Sequence, residues 1–224
     1  MDFELKELVL ALQSDNEKIL EHLINTGLQL DMKIHDPHNS LHPFLQFEPP
    51  LLSVAAFYGA RKCFRIIAGK FPQFFVRDKR GMSLAHFSIL GGDCDIIDLL
   101  FGFGLEFDKC LPFAAQNGNG IVFRFLCQLL DKDLDINEMD SNGMAAIHYA
   151  SLNGDYDLIK FLEIIGADLS LRNAERMTPL LIASKCGYPE IVQYLCNTDG
   201  IDINATDEDI YILFMIIHPF LWQS

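Results

Sequence analysis

Three histidines in the first quarter of the chain could bind a metal ion. His35 and His38 flank an Asp-Pro pair and His42 follows closely, inside an irregular stretch, residues 31–50, that holds four prolines. Zinc sites need three or four ligands held on rigid elements. No further ligand is apparent in the sequence near this stretch. We therefore expect a plain loop here, with no bound metal and no cofactor.

Other residue types that perform catalysis lack the partners they need. Ser53, Cys63 and Cys186 are potential nucleophiles, but no base accompanies them in the sequence. The pair Gly91-Gly92 lacks the strand, the spacing and the lysine that phosphate binding requires. The Phe-rich stretch 64–75 is expected to pack in the core rather than around a cofactor. We predict no catalytic residues, and we expect that the chain is not an enzyme.

The charge of the chain is strongly acidic and unevenly distributed. Its 224 residues carry a formal net charge of −14, which disfavours binding to phosphate backbones. Residues 61–80 hold seven Lys or Arg and one acid, whereas residues 81–224 hold seven bases and 21 acids. A polarised protein partner would suit this pattern. Solvated helix faces and loops are the simpler explanation.

The cysteines and the N-terminus indicate where the chain is found. Six cysteines are scattered without a CxxC pair, which favours free thiols in a reducing compartment. The first residues lack the basic start and apolar run of a secretory signal. No apolar run reaches the roughly 18 residues that a membrane-spanning helix needs. We expect an intracellular, cytoplasmic protein.

A repeated segment reveals the elements that would position any functional residue. The segment 140–168 is matched 33 residues later by 173–195, and an earlier copy spans 78–104. Two further copies keep only the helical half, and a fainter copy lies near the N-terminus. The anchor positions of the six copies are Ala11, Ala55, Ser88, Ala114, Ala150 and Ala183. Self-similarity at a fixed period indicates stacked structural repeats.

Each repeated position has a physical role. Asp140 and Gly143 suit the first and fourth positions of a turn. Thr178 before Pro179 suits a helix start, because the hydroxyl caps free N–H groups and proline fits the first helical position. Gly154 and Gly187 suit left-handed helix ends. Apolar residues at helical spacing follow, and one such helix pair cannot bury its own apolar face, so the pairs must stack.

This pattern resembles the ankyrin repeat over roughly residues 45–209. The segment 50–64 is also similar to the opening unit of divergent ankyrin families expanded in some single-celled eukaryotes. The resemblance implies an all-α ankyrin-repeat solenoid of about five to six stacked helix pairs with short hairpin loops. It also implies a protein–protein interaction scaffold or adaptor, whose partner is another protein rather than nucleic acid.

Several residues depart from the family pattern. Leu181 replaces the family histidine, Arg176 replaces the turn glycine, and Ser88 replaces the close-packing alanine. These departures are expected to change local hairpin geometry and not the architecture. His86 and His148 occupy the family's histidine position, which implies hydrogen bonds across neighbouring hairpins.

The pattern divides the chain into three predicted regions. Residues 1–44 form an N-terminal helical cap and an irregular loop, residues 45–209 form the ankyrin repeats, and residues 210–224 form an apolar C-terminal tail. Three explanations for the tail stay open. It folds back over the last repeat, or it docks a partner or a membrane surface, or it reflects a truncated product with an altered reading frame.

The resemblance implies that the partner is bound by the hairpin tips and the exposed face of the first helices. The residues at those positions are Phe57, Tyr58, Lys79, Arg80, Met82, Leu90, Gln116, Asn117, Ser141, Asn142, Met144, Leu152, Asn153, Glu175, Met177 and Lys185. Methionine recurs at one tip position, which provides an adaptable apolar row. The alternative function is a truncated or regulatory ankyrin segment of a larger enzyme, channel or membrane-associated protein.

Overall fold

Helices dominate the computed structural model, which describes residues 3–35, 41–131 and 134–203. These residues form twelve α-helices in six consecutive pairs and no β-strand. The prediction of an all-α fold with five to six helix pairs is confirmed. The chain divides into two units, unit 1 (Met1–Asp108) and unit 2 (Lys109–Ser224). No helix of the described part is long and apolar enough to span a membrane.

Unit 1 holds three helix pairs and an insertion between the first and the second pair. Its helices are α1 (Phe3–Gln13), α2 (Glu17–Asn25), α3 (Leu51–Phe57), α4 (Arg61–Lys70), α5 (Leu84–Gly91) and α6 (Cys94–Gly102). The insertion contains a short 3-10 helix, Pro43–Leu45. Helix α3 packs against α5, and Phe64 and Phe87 are fully buried in this unit.

Unit 2 holds the other three pairs. Its helices are α7 (Cys110–Gln116), α8 (Gly120–Leu130), α9 (Ala146–Asn153), α10 (Tyr156–Ile164), α11 (Pro179–Cys186) and α12 (Pro189–Cys196). The first helices of the pairs pack in a row, α7 against α9 and α9 against α11. Ala114, Ala150 and Ala183 are completely buried, which confirms that small residues allow these helices to approach closely.

The helix ends follow the residues that the sequence marked. The Thr178 hydroxyl accepts a hydrogen bond from the backbone N–H of Leu181, and Pro179 opens α11. Gly154 and Gly187 end α9 and α11 with φ of +72° and +77°. Both conformations are left-handed, which a residue with a Cβ resists. The predicted roles of these residues are confirmed.

The two glycine caps have different neighbours, which leads to a prediction. An added methyl group at Gly154 would lie 2.6 Å from the Tyr188 ring, whereas nothing lies within 4 Å of one at Gly187. Gly187→Ala is expected to lower the free energy of unfolding by about 1 kcal/mol, from backbone strain alone. Gly154→Ala is expected to cost about 2 kcal/mol, because the ring must also move.

Urea denaturation followed by circular dichroism measures both glycine variants against the unmodified chain. Equal losses for the two would contradict the packing of Tyr188 on Gly154.

The starts of α4 and α7 are each capped by a carboxylate from a distant part of the sequence. The Asp15 carboxylate accepts hydrogen bonds from the backbone N–H groups of Lys62 (2.9 Å) and Cys63 (3.0 Å), at the start of α4. Glu138 accepts from Lys109 and Leu111 at the start of α7, both at 3.0 Å. These negative groups satisfy N–H groups that a helix start leaves free and favour the positive end of its dipole.

The expectation that the Phe-rich stretch 64–75 packs in the core is only half right. Phe64 is buried, but Phe71 is 39% exposed and Phe75 is 81% exposed. Helix α4 ends at Lys70, so the residues after it leave the helical spacing that turns Phe64 towards the core. The chain then crosses the surface of unit 1.

Candidate protein-interaction surface

The Asp140 carboxylate fixes the backbone of the hairpin tip before α9. Asp140 Oδ1 accepts hydrogen bonds from the backbone N–H groups of Asn142 (2.8 Å) and Met144 (2.9 Å). The backbone N–H of Gly143 donates to the Asp140 carbonyl at 3.0 Å and closes the turn. The side chains of Ser141 and Asn142 are exposed. The turn is therefore rigid while its outward residues stay accessible.

The next tip uses an amide for the same purpose. Asn173 Oδ1 accepts from the backbone N–H groups of Glu175 (3.0 Å) and Met177 (2.8 Å). Arg176 has φ of +61°, at the position where the preceding tip has Gly143. The departure from the family glycine therefore leaves the turn intact, at the cost of a left-handed arginine. In unit 1, Asp78 accepts in the same way from two backbone N–H groups of its own tip.

The hydrogen bonds at Asp140 also set its ionisation. Burial raises the pKa of its carboxyl, but donation by the Tyr149 hydroxyl and by backbone N–H groups outweighs this and lowers the pKa overall. The Tyr149 hydroxyl lies 2.6 Å from Asp140 Oδ2. Burial and this hydrogen bond raise the pKa of Tyr149 to about 12. Asp140 is therefore a charged carboxylate and Tyr149 a neutral phenol, and their hydrogen bond connects the tip to α9.

His148 links α9 to the following loop. Its Nδ1 accepts from the backbone N–H of Ala145 at 3.0 Å, and its Nε2 lies 3.0 Å from the Leu171 carbonyl oxygen. A neutral ring that carries its proton on Nε2 satisfies both contacts. Burial lowers the pKa of His148, which favours that neutral form. The predicted bond across hairpins is confirmed for His148. His86 contacts Ser83 at the start of its own helix.

Most of the predicted partner-binding residues of unit 2 are exposed. They are Gln116, Asn117, Ser141, Asn142, Leu152, Asn153, Glu175 and Lys185, while Met144 and Met177 are half-buried. Gln116, Leu152 and Lys185 occupy the same position on α7, α9 and α11. Since these helices pack in a row, the three side chains line one face. Leu152, 43% exposed, is the apolar centre of that face.

Two other predicted binding residues of unit 2, Asn153 and Met144, make contacts within the chain. The Asn153 amide donates to the carbonyl oxygens of Ala115 (3.0 Å) and Gln116 (3.2 Å), which ties α9 to the end of α7. The Met144 sulfur accepts from the Asn173 amide at 3.2 Å and connects the two tips. Asn153 and Met144 therefore have structural contacts in addition to any role in binding.

The predicted partner-binding residues of unit 1 contact the chain's own insertion. The Arg80 guanidinium lies 4.1 Å from the centroid of the Phe47 ring and donates to the Phe44 carbonyl oxygen at 2.8 Å. Lys79 Nζ lies 2.6 Å from Glu48 Oε1. The Phe57 ring lies 5.0 Å from the His42 ring. We did not predict these contacts, because the sequence of the insertion indicates only a loop.

The remaining unit 1 residues have mixed environments. Tyr58, Met82 and Leu90 are half-buried, and the Tyr58 ring lies 5.3 Å from the Phe57 ring. The described part of unit 1 therefore offers fewer of its predicted binding side chains to a partner than unit 2 does.

The three histidines that suggested a metal have other contacts or lie outside the described residues. His35 Nδ1 lies 3.2 Å from Glu48 Oε1, and His42 Nδ1 accepts from the backbone N–H of Phe44. His38 lies outside the described residues. Among the described residues, no group of three His, Cys, Asp or Glu side chains could hold a metal ion.

Of the candidate nucleophiles, Cys63 and Ser53 are buried and Cys186 is exposed. Burial raises the pKa of Cys63 to about 12 and that of Cys127 to about 11, so both thiols stay protonated at neutral pH. All six cysteines are free. Ser53 is fully buried between helices.

Rows of short helices joined by rigid, exposed tips define a helical repeat protein. The family model for ankyrin repeats, in three copies, matches residues 91–173 and 111–207, which is more than half of the chain. The chain belongs to the ankyrin-repeat family, whose repeats mediate protein–protein interactions.

Curated relatives share parts of the chain. Human protein phosphatase 1 regulatory subunit 27 is 43% identical over 68 residues, 30% of this chain and 44% of that protein. Human transient receptor potential cation channel subfamily A member 1 is 27% identical over 216 residues, 90% of this chain and 18% of the channel. The chain spans half or less of the length of these relatives. The Notch-regulated ankyrin repeat-containing protein of Xenopus laevis is 32% identical over 83 residues, 73% of its length.

Solved structures agree with this fold. The ankyrin repeat domain of human ASB11 superposes with a TM-score of 0.74 at 16% identity, over 91% of this chain and 87% of that one. The predicted ankyrin-repeat architecture is thereby confirmed.

Proposed function

We propose that this chain is a non-enzymatic scaffold or adaptor that binds another protein through unit 2. The binding surface would comprise the hairpin tips at Ser141–Asn142 and at Glu175, together with the face formed by Gln116, Leu152 and Lys185. The observation that carries the proposal is the pair of side-chain-held turns, Asp140 and Asn173, which fix the tip backbones while their outward side chains stay exposed. Preorganised loops bind with a smaller entropy loss.

The chemistry of this surface suits a partner segment that combines apolar and polar side chains. Leu152 supplies an exposed apolar contact, flanked by an amide on α7 and an ammonium on α11. Interfaces of this kind combine a small apolar centre with a polar rim. A partner with an apolar anchor beside an acidic group would complement Leu152 and Lys185.

A matched pair of variants tests this proposal. Leu152 on α9 and Ile164, the last residue of α10, are both exposed apolar residues of the same helix pair. Leu152→Glu is expected to weaken binding of a captured partner by at least about tenfold, whereas Ile164→Glu is expected to leave it unchanged. Affinity capture from the native cell identifies the partner, and titration calorimetry with each purified variant measures the change.

Equal binding by Leu152→Glu and Ile164→Glu would refute the assignment of this face. Thermal unfolding of both variants is the control, because neither substitution removes a buried group and both should melt near the unmodified chain.

A second function is favoured by one comparison. The match to the cation channel extends over 90% of this chain, so the chain could serve as the ankyrin segment of a larger channel, enzyme or membrane-associated protein. Sequencing the transcript beyond codon 224 tests this possibility, since an open frame that continues into another domain supports it.

The predicted tail, residues 210–224, lies outside the described residues. The cytoplasmic location and the three-region division stay predictions.

A further inference from the structure

Helices α4 and α6 of unit 1 are neighbours at both ends. At their starts, Arg61 Nε lies 2.6 Å from the carboxylate of Asp93, and its Nη1 also pairs with Asp95. Just beyond their last residues, the rings of Phe74 and Phe103 are 5.0 Å apart. The outer surfaces of the two helices therefore form one continuous face, which we name the α4–α6 face.

Opposite charges stand at equivalent positions of this face. Lys62 and Arg65 are exposed on α4, and Asp95 and Asp98 are exposed 33 residues later on α6. Two positive side chains on α4 thus lie beside two negative side chains on α6. Towards the helix ends, Gly69 and Gly102 have nothing within 4 Å of an added methyl group, so no other group of the chain covers the face at these two residues.

Exposed aromatic rings lie at the end of the same face. Phe71, Phe75, Phe101 and Phe103 are 39%, 81%, 41% and 54% exposed. Since a phenylalanine buries roughly 150–250 Å² when covered, these four rings leave about 400 Å² of apolar surface in water. An apolar area of this size is comparable to the largest patch of a typical monomer, and such patches are often functional.

We propose that the α4–α6 face binds a second copy of this chain. A two-fold axis that runs parallel to the helices places α4 of each copy over α6 of the other. Lys62 and Arg65 then oppose Asp95 and Asp98 of the second copy, and the exposed rings of both copies meet at one end. The face is self-complementary, as a two-fold interface requires.

Ligands of a single charge fit this face less well. An anionic lipid surface or a nucleic acid would be attracted by Arg65 but repelled by Asp98 one helix away. Exposed acids after α6, Glu106 and Asp108, add to that repulsion. A surface that is negative opposite α4 and positive opposite α6 complements both helices. A second copy of this chain provides such a surface.

Charge reversal and mixing test the proposal. Sedimentation velocity of the full chain across a concentration series is expected to show dimers. Arg65→Glu and Asp98→Arg are each expected to weaken dimerisation by about tenfold or more, because two like-charge contacts form in each dimer. Mixing the two variants is expected to restore association. In the mixed pair the introduced glutamate opposes the introduced arginine, and the unchanged Asp98 of one copy opposes the unchanged Arg65 of the other.

Controls separate this interface from other causes of association. Lys6→Glu changes the net charge as Arg65→Glu does, at an exposed position of α1, which is a first helix and not part of the α4–α6 face, and is expected to leave the dimer unchanged. Phe75→Ser is expected to weaken it, and circular dichroism verifies that each variant keeps its helices. The proposal is overturned if the unmodified chain stays monomeric at about 100 µM. It is also overturned if the mixture associates no better than either variant alone.

Discussion

Gly91→Ala is expected to lower the free energy of unfolding by about 3 kcal/mol. An added methyl group at Gly91 would lie 2.3 Å from the Ala56 carbonyl oxygen and 2.8 Å from that of Phe57. Both atoms belong to the backbone at the end of α3, so they cannot rotate away as a side chain can. The methyl group must push α5 from α3, which form the central packing of unit 1. Urea denaturation followed by circular dichroism measures the loss.

Gly69→Ala is the matched control for this prediction. Gly69 is also helical, lies in the same unit, and has nothing within 4 Å of an added methyl group. Alanine there is expected to raise the free energy of unfolding by about 0.5–1 kcal/mol, because glycine in a helix loses more backbone entropy on folding. An unaffected Gly91→Ala variant would contradict the close approach of α3 and α5, and a destabilised Gly69→Ala variant would contradict the open space around Gly69.

Asp140→Ala is expected to have a similarly large effect, about 3 kcal/mol, because one carboxylate accepts three hydrogen bonds. Two come from the backbone N–H groups of Asn142 and Met144, and the third comes from the Tyr149 hydroxyl. Without the carboxylate, these donors lose their partner at a half-buried site. The neighbouring Ser141→Ala is expected to change the free energy of unfolding by less than about 0.5 kcal/mol, because Ser141 is exposed.

Asp140→Asn separates the hydrogen bonds from the charge. Asn173 shows that an amide oxygen can hold the same turn, so this variant is expected to lose less than Asp140→Ala. Folding lowers the pKa of Asp140, so its ionic stabilisation is complete above the ordinary aspartate pKa. It is lost as the pH falls through the lowered value. The stability gap between the unmodified chain and Asp140→Asn should therefore stay constant from about pH 7 down to the ordinary aspartate pKa of about 3.9, and shrink as the pH falls below it. A constant gap would refute the role of the charge.

Much of the fold could be predicted from the sequence because each repeat carries local signals. Gly154, Gly187 and Thr178 act on the residues next to them, so their effect is visible in the sequence alone. The 33-residue period then predicts that the helix pairs pack side by side. The face of Gln116, Leu152 and Lys185 could be predicted for the same reason, since equal positions in successive repeats share a face.

Contacts between distant residues could not be predicted in this way. Gly91 occupies the repeat position of Asn153 and Cys186, so nothing in the sequence indicates that one backbone touches another there. Arg80 and Lys79 were predicted as binding residues, but the sequence does not reveal that the insertion would pack against them. Likewise, the exposure of Phe75 depends on where α4 ends, which the aromatic composition does not specify.

The turns held by Asp78, Asp140 and Asn173 separate two tasks within each repeat. One side chain, turned inward, maintains the backbone path, so exposed residues such as Ser141 and Glu175 contribute little to folding. Mutations at these outward positions can accumulate or be selected for new partners with little risk to the molecule that carries them. The same separation makes the tips suitable places to graft a foreign recognition sequence onto this framework.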